Sequence, residues 1–297
     1  MAIGSAAVIL LTGATGTVGS ALLRRLTADG TPVRALVRDQ RRLGDQRVRV
    51  QIALGDLADP PSFRNALRGV NTVVHLAASI RDQPRASIEE LNALATLRLV
   101  RAAERAGVER FIFFSALNAR HHSRTRFFRA KALAEEAVEA SPLETTIFRP
   151  SIIYTPGDPW LTLLNRLSRL PAMPISGSGT AAYEPIWADD VADAVMHALA
   201  GGAAPTHELA GPELLSYDDI VRVALRASHR RRRLLHVPLP VVRSSLRLLR
   251  RLAGPKVFAT WEEAELMEEP MVSERGTADV EALGVKPLRM GAVLGAR

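Results

Sequence analysis

The chain of 297 residues contains no cysteine, and this absence excludes three kinds of chemistry at once. A disulfide framework, a thiolate metal site and a cysteine nucleophile all need the missing side chain. The chain also lacks any run of about 20 apolar residues, the length that a membrane-spanning helix requires. The apolar segment 6–11 is too short for a signal peptide, and no basic residue precedes it. We therefore expect a cytoplasmic protein without a transmembrane segment, with peripheral attachment to a membrane as the alternative.

Lysine is also scarce, since it accounts for only three of the 39 basic residues. The formal net charge is +8, and much of the excess lies in residues 226–251. A basic region of this kind can bind an acidic protein partner or an anionic membrane surface. A cap helix with a solvated arginine face is the plainer interpretation. The region lacks interleaved aromatic residues and a recognised reading motif, so we expect no specific binding of nucleic acid.

The first half of the chain alternates short apolar, β-branched runs with longer helical patterns, which is typical of βαβ units. The strand runs are almost continuously apolar, as expected when helices cover both faces of a sheet. We therefore predict an α/β fold, a Rossmann-type doubly wound sheet of six parallel strands. The predicted strands are Ala7–Leu11, Val33–Val37, Arg49–Ala53, Thr72–Leu76, Phe111–Phe114 and Thr145–Phe148, with helices near 17–29, 61–68, 87–106 and 125–140.

The composition changes after Pro150, where proline and glycine crowd residues 150–185 and predict that no long element forms there. Helical patterns return near 188–200, 217–227, 239–252, 259–268 and 277–283. We therefore divide the chain into a Rossmann domain at 1–150 and a smaller, mainly helical cap region at 151–297. The boundary is soft, because such caps are interleaved with the sheet.

A glycine-rich loop follows the first predicted strand and opens the first helix. Gly13 permits the tight turn, Gly16 allows the backbone to approach a pyrophosphate, and Gly19 allows the helix to pack closely on the strand. The N–H groups at the start of the helix can bind the phosphates. This context predicts dinucleotide binding. The other loop residues expected at the cofactor are Thr12, Thr15, Thr17 and Val18.

Two further turns bear on the nucleotide. Val37 stands at the end of the second strand where NAD-binding proteins carry an acid, and Arg38 follows it directly. Because arginine suits a 2′-phosphate, NADP(H) is favoured. Asp39 in a rotated loop would instead serve a ribose hydroxyl, which leaves NAD(H) open. Asp56, with Leu57, is placed to accept a hydrogen bond from adenine, or equally to cap the helix that begins near Pro60.

These pieces, in this order, resemble the short-chain dehydrogenase/reductase superfamily in its extended and atypical branches. The resemblance covers most of the chain. Within the superfamily, residues 126–136 and 148–153 and the Asp-Asp-Val at 189–191 are most similar to the NADPH-binding accessory subunits of respiratory complex I and their bacterial relatives. NmrA-like redox-sensing proteins are the next most similar. The motifs are TGATGTVG at 12–19, Gly-Asp-Leu at 55–57, His-Leu-Ala-Ala at 75–78, Asn92, Phe-Phe-Ser-Ala at 113–116, Lys131, Phe-Arg-Pro-Ser-Ile-Ile-Tyr at 148–154 and Ile-Trp-Ala-Asp-Asp-Val at 186–191.

The resemblance implies a serine, a tyrosine and a lysine at the reaction centre, with tyrosine and lysine four residues apart. Ser115 and Lys131 match two of these positions, but Phe127 occupies the tyrosine position and cannot transfer a proton. Tyr154 is an alternative proton donor, although a tyrosine that ends a buried strand more often serves packing. His75 is expected to be a core residue, and no residues resemble a metal site. The resemblance further implies cofactor contacts at Leu76, Ala77, Ala78, Ser115, Lys131, Pro150 and Ile153.

Three functions fit these observations. The first is an accessory or assembly subunit that holds NADPH without tyrosine-dependent catalysis. The second is an NADPH-dependent reductase or epimerase-like oxidoreductase that acts on a carbonyl or quinone substrate. The third is a redox sensor that responds to the state of the nucleotide. Phe127 favours the first and the third, because all three need the nucleotide site and only the second needs a proton donor.

Overall fold

A parallel sheet of seven strands lies at the centre of the computed structural model, which describes residues 7–84, 86–201, 203–253 and 261–296, without the side chains of 247–253. In chain order the strands are β1 (Val8–Thr12), β2 (Val33–Val37), β3 (Gln51–Leu54), β4 (Val70–His75), β5 (Arg110–Phe114), β6 (Glu144–Pro150), β7 (Ile153–Tyr154), β8 (Ala172–Ser176), β9 (Ala182–Tyr183), β10 (Ile186–Trp187), β11 (Thr206–Leu209), β12 (Leu215–Ser216) and β13 (Arg233–Val237).

The spatial order of the central sheet is β11-β6-β5-β4-β1-β2-β3. The order reverses between β1 and β4, and open α/β sheets hold ligands at the carboxyl ends of the strands beside such a switch point. The Rossmann-type fold is therefore confirmed. The remaining strands form three two-stranded sheets, β7 with β10, β9 with β12 and β8 with β13.

The helices of the described residues flank this sheet and build the cap region. In chain order they are α1 (Thr17–Ala28), α2 (Pro60–Phe63), α3 (Ala95–Ala106), α4 (Arg126–Glu139), α5 (Pro159–Leu167), α6 (Ala188–Ala200), α7 (Tyr217–Ala227), α8 (Leu239–Ala253), α9 (Trp261–Leu266), α10 (Ala278–Ala282) and α11 (Met290–Leu294). A π-helical stretch, Glu90–Leu94, leads into α3, and a 3₁₀ stretch, Gln40–Val48, follows β2. None of the helices in the described part of the chain is long and apolar enough to span a bilayer.

Two apolar layers hold the helices to the sheet, because successive residues of a strand point to opposite faces. Leu11 and Ile112 face α1 and α6 in one layer. Leu10, Val73 and Phe111 face α3 and α4 in the other. Each large apolar side chain buried in this way stabilises the fold by roughly 1.5–3 kcal/mol.

An ion pair joins the first helix of the chain to the cap half. Arg25 of α1 donates from Nη1 to Asp189 of α6 at 2.7 Å. It also binds both carboxylate oxygens of Asp193, with Nη2 donating to Oδ2 at 3.0 Å. The hydrogen bonds to Asp193 hold the pKa of Arg25 above its ordinary value. Residues after Pro150 thus help to cover the sheet that the first half builds.

Two of the departures from the sequence predictions concern the central sheet and the segment 150–185. The sheet has seven strands and not six, because β11 pairs with β6 in parallel. Helix α5, of nine residues, forms inside 150–185, where the sequence predicts no helix. Pro159 stands at the start of α5, where its missing N–H costs nothing, and Asp158 caps the helix by accepting from the N–H of Leu161 at 2.7 Å.

Candidate functional site

A cleft of about 320 Å³ opens at the carboxyl ends of β1, β2 and β4, where the strand order reverses. Its position is the one that the fold predicts for a nucleotide. Ten of the residues predicted at the cofactor line it, namely Thr12, Gly13, Thr15, Gly16, Arg38, Asp56, Leu57, Leu76, Ala77 and Ala78.

The three loop glycines are required for different reasons. Gly13 has a φ of +71°, and a Cβ there would lie 2.7 Å from the backbone nitrogen of Ala77. A Cβ on Gly19 would lie 2.0 Å from the carbonyl oxygen of Gly13, so α1 packs directly on the loop. Gly16 has an ordinary φ of −83°, and its Cβ would meet only that same oxygen at 3.2 Å. Protein packing therefore requires glycine at positions 13 and 19, whereas a Cβ at position 16 would need only a small shift of the Gly13 carbonyl.

The N-terminus of α1 begins at this loop without a side chain to cap it. Gly16 occupies the N-cap position, no side chain caps it, and the first turn carries no acidic residue. Thr17, Val18 and Gly19 form that first turn and do not line the cleft. Their N–H groups and the positive end of the helix dipole can bind a pyrophosphate.

The end of the cleft beside the loop after β2, where the sequence predicts the adenosine, carries two arginines. Arg38 donates from Nη1 to Oε1 of Gln83 at 2.7 Å, and both side chains line the cleft together with Arg42. The carboxylate of Asp39 accepts from the N–H of Arg41 at 2.9 Å and caps the 3₁₀ stretch that follows. Asp39 therefore has a structural partner, while Arg38 and Arg42 bring positive charge to this end.

Asp56 lines the cleft beside Leu57 and makes a local turn. One oxygen of its carboxylate accepts from the N–H of Ala58 at 3.0 Å. Asp59, and not Asp56, occupies the N-cap position of α2. The capping role considered for Asp56 is therefore wrong, and the free side of its carboxylate remains open to adenine.

His75 is buried at the end of β4, as the sequence predicts. Its Nδ1 lies 2.7 Å from Oγ1 of Thr12, and its Nε2 lies 3.0 Å from Oγ1 of Thr96. Thr96 donates its own proton to the carbonyl of Asn92, so it accepts from Nε2, and Thr12 then donates to Nδ1. Burial lowers the pKa of His75 to about 3, with the nearby Lys131 adding to the effect. His75 is thus a neutral, fully hydrogen-bonded core residue.

Lys131 is buried in α4 behind the end of β5. Its ammonium donates to the carbonyl oxygen of Phe114 at 2.5 Å and lies 4.8 Å from the centre of the Phe113 ring. Burial lowers the pKa of Lys131 to about 7, and the nearby Glu135 partly opposes this. Among the described residues no second acceptor reaches this amine, which leaves donors for a ligand hydroxyl.

Ser115 and Phe127 complete the set that the sequence predicts around Lys131. The hydroxyl of Ser115 is buried and has no hydrogen-bond partner among the described residues. Phe127 is half-buried, with its ring centre 5.8 Å from the Lys131 amine. The aromatic ring therefore occupies the helix position four residues before the lysine, but carries no group that exchanges a proton.

Tyr154 lies in the apolar cluster beneath the cap region. Its hydroxyl is buried without a hydrogen-bond partner among the described residues, and burial raises its pKa. Pro150 is buried at the end of β6, and Ile153 packs against the cluster that includes α1. None of these three residues lines the cleft, and the same is true of Ser115 and Lys131.

Sequence reasoning did not assign the roles of several residues in the cleft and behind it. Asn92 accepts from the N–H of Ser79 at 3.1 Å and donates to its carbonyl at 2.8 Å, so it fixes the loop after β4. Gln83 and Arg42 also line the cleft. Asn92 is one of the positions on which the family resemblance rests, but nothing local to Gln83 indicates that it meets Arg38.

The residues present fit a nicotinamide dinucleotide. Gly16 leaves room that a Cβ would fill, the first turn of α1 is uncapped, and two buried polar groups, the Ser115 hydroxyl and the Lys131 amine, lack their full complement of partners. Buried polar groups are normally hydrogen-bonded, so these two groups are able to bind the polar groups of a ligand. Within the described ranges no cluster of three histidine or acidic residues has the arrangement of a metal site.

In the basic region 226–251, some arginines make hydrogen bonds within the protein and others are exposed. Arg230 donates to Oγ of Ser168 at 2.6 Å, and Arg232 donates to the carbonyl of Leu170 at 2.9 Å. Both arginines therefore bind the residues that directly follow α5. Arg231 and Arg233 are exposed. The side chains of Arg247, Arg250 and Arg251, predicted on one helix face, lie outside the described residues.

Comparison with known proteins places the chain in a sequence family. A family model described as NAD(P)H-binding matches residues 13–201. Ceramide reductase from Caulobacter vibrioides is 33% identical over 177 residues, which cover 59% of this chain and only 56%, about half, of that protein. The 40 kDa subunit of mitochondrial NADH-ubiquinone oxidoreductase from Neurospora crassa is 30% identical over 287 residues, which cover 93% of this chain and 74% of the subunit.

A solved structure shows the same fold over most of the chain. The nucleoside-diphosphate-sugar epimerase from Staphylococcus aureus matches with a TM-score of 0.77 and 19% identity, covering 96% of this chain and 99% of that one. This likeness extends through the cap region as well as the sheet.

The different roles of the glycines predict opposite effects of the same substitution. Gly19→Ala should destabilise the fold by about 1–3 kcal/mol, because the new Cβ overlaps the Gly13 carbonyl. Gly16→Ala should change the free energy of unfolding by less than about 1 kcal/mol but weaken nucleotide binding about tenfold or more. Urea unfolding without nucleotide and titration with NADPH measure the two effects. Equal destabilisation by both substitutions would show that Gly16 serves packing.

Proposed function

The chain belongs to the NAD(P)H-binding family, and from this premise we propose that it holds NADP(H) without tyrosine-dependent proton transfer, as an accessory or assembly subunit. The part of this function that the family match already supports is the binding of a nicotinamide dinucleotide by an atypical short-chain dehydrogenase/reductase fold. Similarity to a respiratory-complex subunit over 93% of the chain supports the accessory role. Bound nucleotide at a hundredfold excess over its dissociation constant would add about 2.7 kcal/mol to stability.

Phe127 is the observation that carries the proposal. A short-chain dehydrogenase needs a phenol near the lysine to exchange a proton with a carbonyl or alcohol oxygen. In this chain the ring of Phe127 at that position has no hydroxyl, although the lysine and the serine of the family's set are present as Lys131 and Ser115. We propose that Lys131 and Ser115 bind the ribose and nicotinamide portion, with Pro150 and Ile153 beside them. The nicotinamide would supply a hydride only if another group supplied the proton.

The proposed preference for NADP(H) rests on the charges at the adenosine end. Arg38 and Arg42 line the cleft together with Asp39, whose carboxylate accepts from the backbone N–H of Arg41 with one oxygen. A 2′-phosphate carries a charge of about −1.5 to −2, and two arginines attract it more strongly than the single carboxylate repels it. Asp56 remains to hold the adenine amine.

A reductase is the second candidate, and the buried, unpartnered hydroxyls of Ser115 and Tyr154 favour it. Similarity to a protein named ceramide reductase supports the same candidate, although the chain matches only 56% of its length. In such a reaction the hydride passes from NADPH to a carbonyl carbon, and Ser115, Tyr154 or the substrate itself supplies a proton to the oxygen. The raised pKa of Tyr154 keeps the phenol protonated, which a proton donor requires.

We further propose that the basic surface at 231–241 docks on an anionic membrane surface. Arg231 and Arg233 are exposed next to apolar side chains, with Leu235 57% and Val241 52% exposed. Exposed apolar groups beside arginines are typical of proteins that bind at a lipid interface. An acidic protein partner is the alternative occupant.

A gain-of-function substitution tests the missing proton donor. Wild-type protein with stoichiometric NADPH should not oxidise the nucleotide in single-turnover assays against panels of carbonyl and quinone substrates. Phe127→Tyr should restore oxidation for at least one carbonyl, because it places a phenol beside the Lys131 amine. Absorbance in the near ultraviolet follows the reaction. Turnover by wild-type protein would instead support the reductase, and Tyr154→Phe would then show whether that phenol donates the proton.

Co-sedimentation with vesicles tests the membrane surface. Wild-type protein should bind vesicles that contain anionic lipid and not neutral vesicles. The double substitution Arg231→Glu, Arg233→Glu should weaken binding at least tenfold, since each basic residue near an anionic surface contributes about 1 kcal/mol. Arg101→Glu with Arg105→Glu makes the same change of charge on α3 and serves as the control. Equal loss in both variants would indicate a non-specific effect of net charge and contradict the proposed surface.

A further inference from the structure

A segment between β4 and the π-helical stretch reaches the adenosine end of the cleft. We call residues 79–84 and 86–89 the strap. Ser79 and Gln83 of the strap line the cleft opposite the loop after β2. The backbone of Gln83 also pairs with that of Ala86, because its N–H donates to the carbonyl of Ala86 at 2.9 Å and its carbonyl accepts from the N–H of Ala86 at 3.3 Å. The position of the Gln83 backbone is therefore defined.

Ion pairs fasten the strap to α4. Arg126, at the start of α4, donates to Asp82 at 2.8 Å and to Glu89 at 2.6 Å. The hydrogen bond from Arg126 lowers the pKa of Glu89 to about 2 and also lowers that of Asp82. Both carboxylates are thus charged at neutral pH, and one guanidinium holds the strap on both sides of Gln83.

The strap is held at two more places. Asn92 bonds both backbone groups of Ser79. Arg81 donates to Glu263 of α9 at 2.5 Å, which ties the strap to the cap region. Because these contacts come from three different elements, the position of Gln83 is set by the fold and does not depend on Arg38.

The contact between Gln83 and Arg38 uses only part of the guanidinium. Gln83 accepts from Nη1 of Arg38 at 2.7 Å. A guanidinium has two edges that can bind a phosphate with two parallel hydrogen bonds. Within the described part of the chain no residue accepts from the Nε–Nη2 edge of Arg38, although this residue lines the cleft. That edge is therefore open to a ligand while Nη1 is held.

We propose that Gln83 is a positioning residue for recognition of the 2′-phosphate, because it holds Arg38 with its Nε–Nη2 edge open to the ligand. The inference rests on the proposed preference for NADP(H) and names the residue that supports it. A neutral amide suits this role, since it accepts a hydrogen bond without cancelling the charge of the arginine. A carboxylate at the same place would pair with Arg38 and repel the phosphate.

The test compares two ligands that differ only at the 2′ position. Adenosine 2′,5′-bisphosphate and adenosine 5′-monophosphate are titrated into the full-length protein. Gln83→Glu should weaken the bisphosphate about tenfold or more, since it places a negative charge near the 2′-phosphate. It should change the monophosphate by less than about twofold. Gln83→Leu should weaken the bisphosphate about threefold, because the hydrogen bond that holds the guanidinium of Arg38 is lost.

Gln51→Glu is the matched control. Gln51 accepts from Arg34 at 3.0 and 2.8 Å on the neighbouring strands and does not line the cleft. The same change from amide to carboxylate should leave the ratio of the two affinities unaltered. A general effect of added negative charge would lower that ratio in both variants and would overturn the inference.

The remaining outcomes also decide the matter. Equal weakening of both ligands by Gln83→Glu would show that Gln83 only maintains the strap, and tighter binding of the bisphosphate by Gln83→Leu would show competition for Arg38. Either result overturns the inference. Arg38→Leu separates it from the proposed function. If Arg38→Leu lowers the preference for the bisphosphate but the Gln83 variants do not, only the role of Gln83 is refuted. If Arg38→Leu leaves that preference unchanged, the proposed preference for NADP(H) is itself refuted.

Discussion

The close approach of α1 to the end of β1 is the constraint on which the site depends. No side chain separates the helix from the loop, because a Cβ on Gly19 would lie 2.0 Å from the Gly13 carbonyl. The same loop touches the backbone after β4, where a Cβ on Gly13 would lie 2.7 Å from the nitrogen of Ala77. Three backbone segments therefore form the floor of the cleft. Their N–H groups and the helix dipole make that floor suited to phosphate before any charged side chain is considered.

The two ends of the site combine charge and burial differently. At the end proposed for adenosine, Arg38 and Arg42 are exposed, so their guanidinium groups can bind a phosphate from solvent. At the other end, Lys131 is buried between aromatic rings, and burial lowers its pKa to about 7. A hydroxyl-bearing ligand would give this amine acceptors that the protein does not provide. With Phe127 in place of a phenol, this arrangement is better suited to holding a nucleotide than to transferring a proton.

Much of the architecture follows from local sequence signals. The strand Val33–Val37 and the helices Ala188–Ala200 and Tyr217–Ala227 form at the predicted residues, because apolar periodicity and caps mark them, as with the Ser216–Asp219 capping box. Strand β11 has only four residues, with a histidine and a glutamate among them, and becomes a strand only because β6 offers an open edge. Tertiary pairing of this kind leaves no mark in a single sequence.

The same limit applies to the site. The glycine loop and Arg38 are predictable, because their roles depend on neighbours in the sequence. The contact of Arg38 with Gln83 joins residues 45 positions apart, and Arg81 meets Glu263 across 182 positions. Such pairs arise from the fold, so their function becomes visible only in three dimensions. The strap is accordingly the part of the site that sequence reasoning missed.

Competition among nucleotides tests the central claim most directly. The purified protein would be stripped of any bound nucleotide, equilibrated with equal amounts of NADPH, NADP⁺, NADH and NAD⁺, and examined by native mass spectrometry. The account predicts one NADP(H) per chain, with little NAD(H) retained. Retention of NAD(H) in preference to NADP(H) would contradict the assignment of Arg38 and Arg42 to the 2′-phosphate, and retention of neither would contradict nucleotide holding itself.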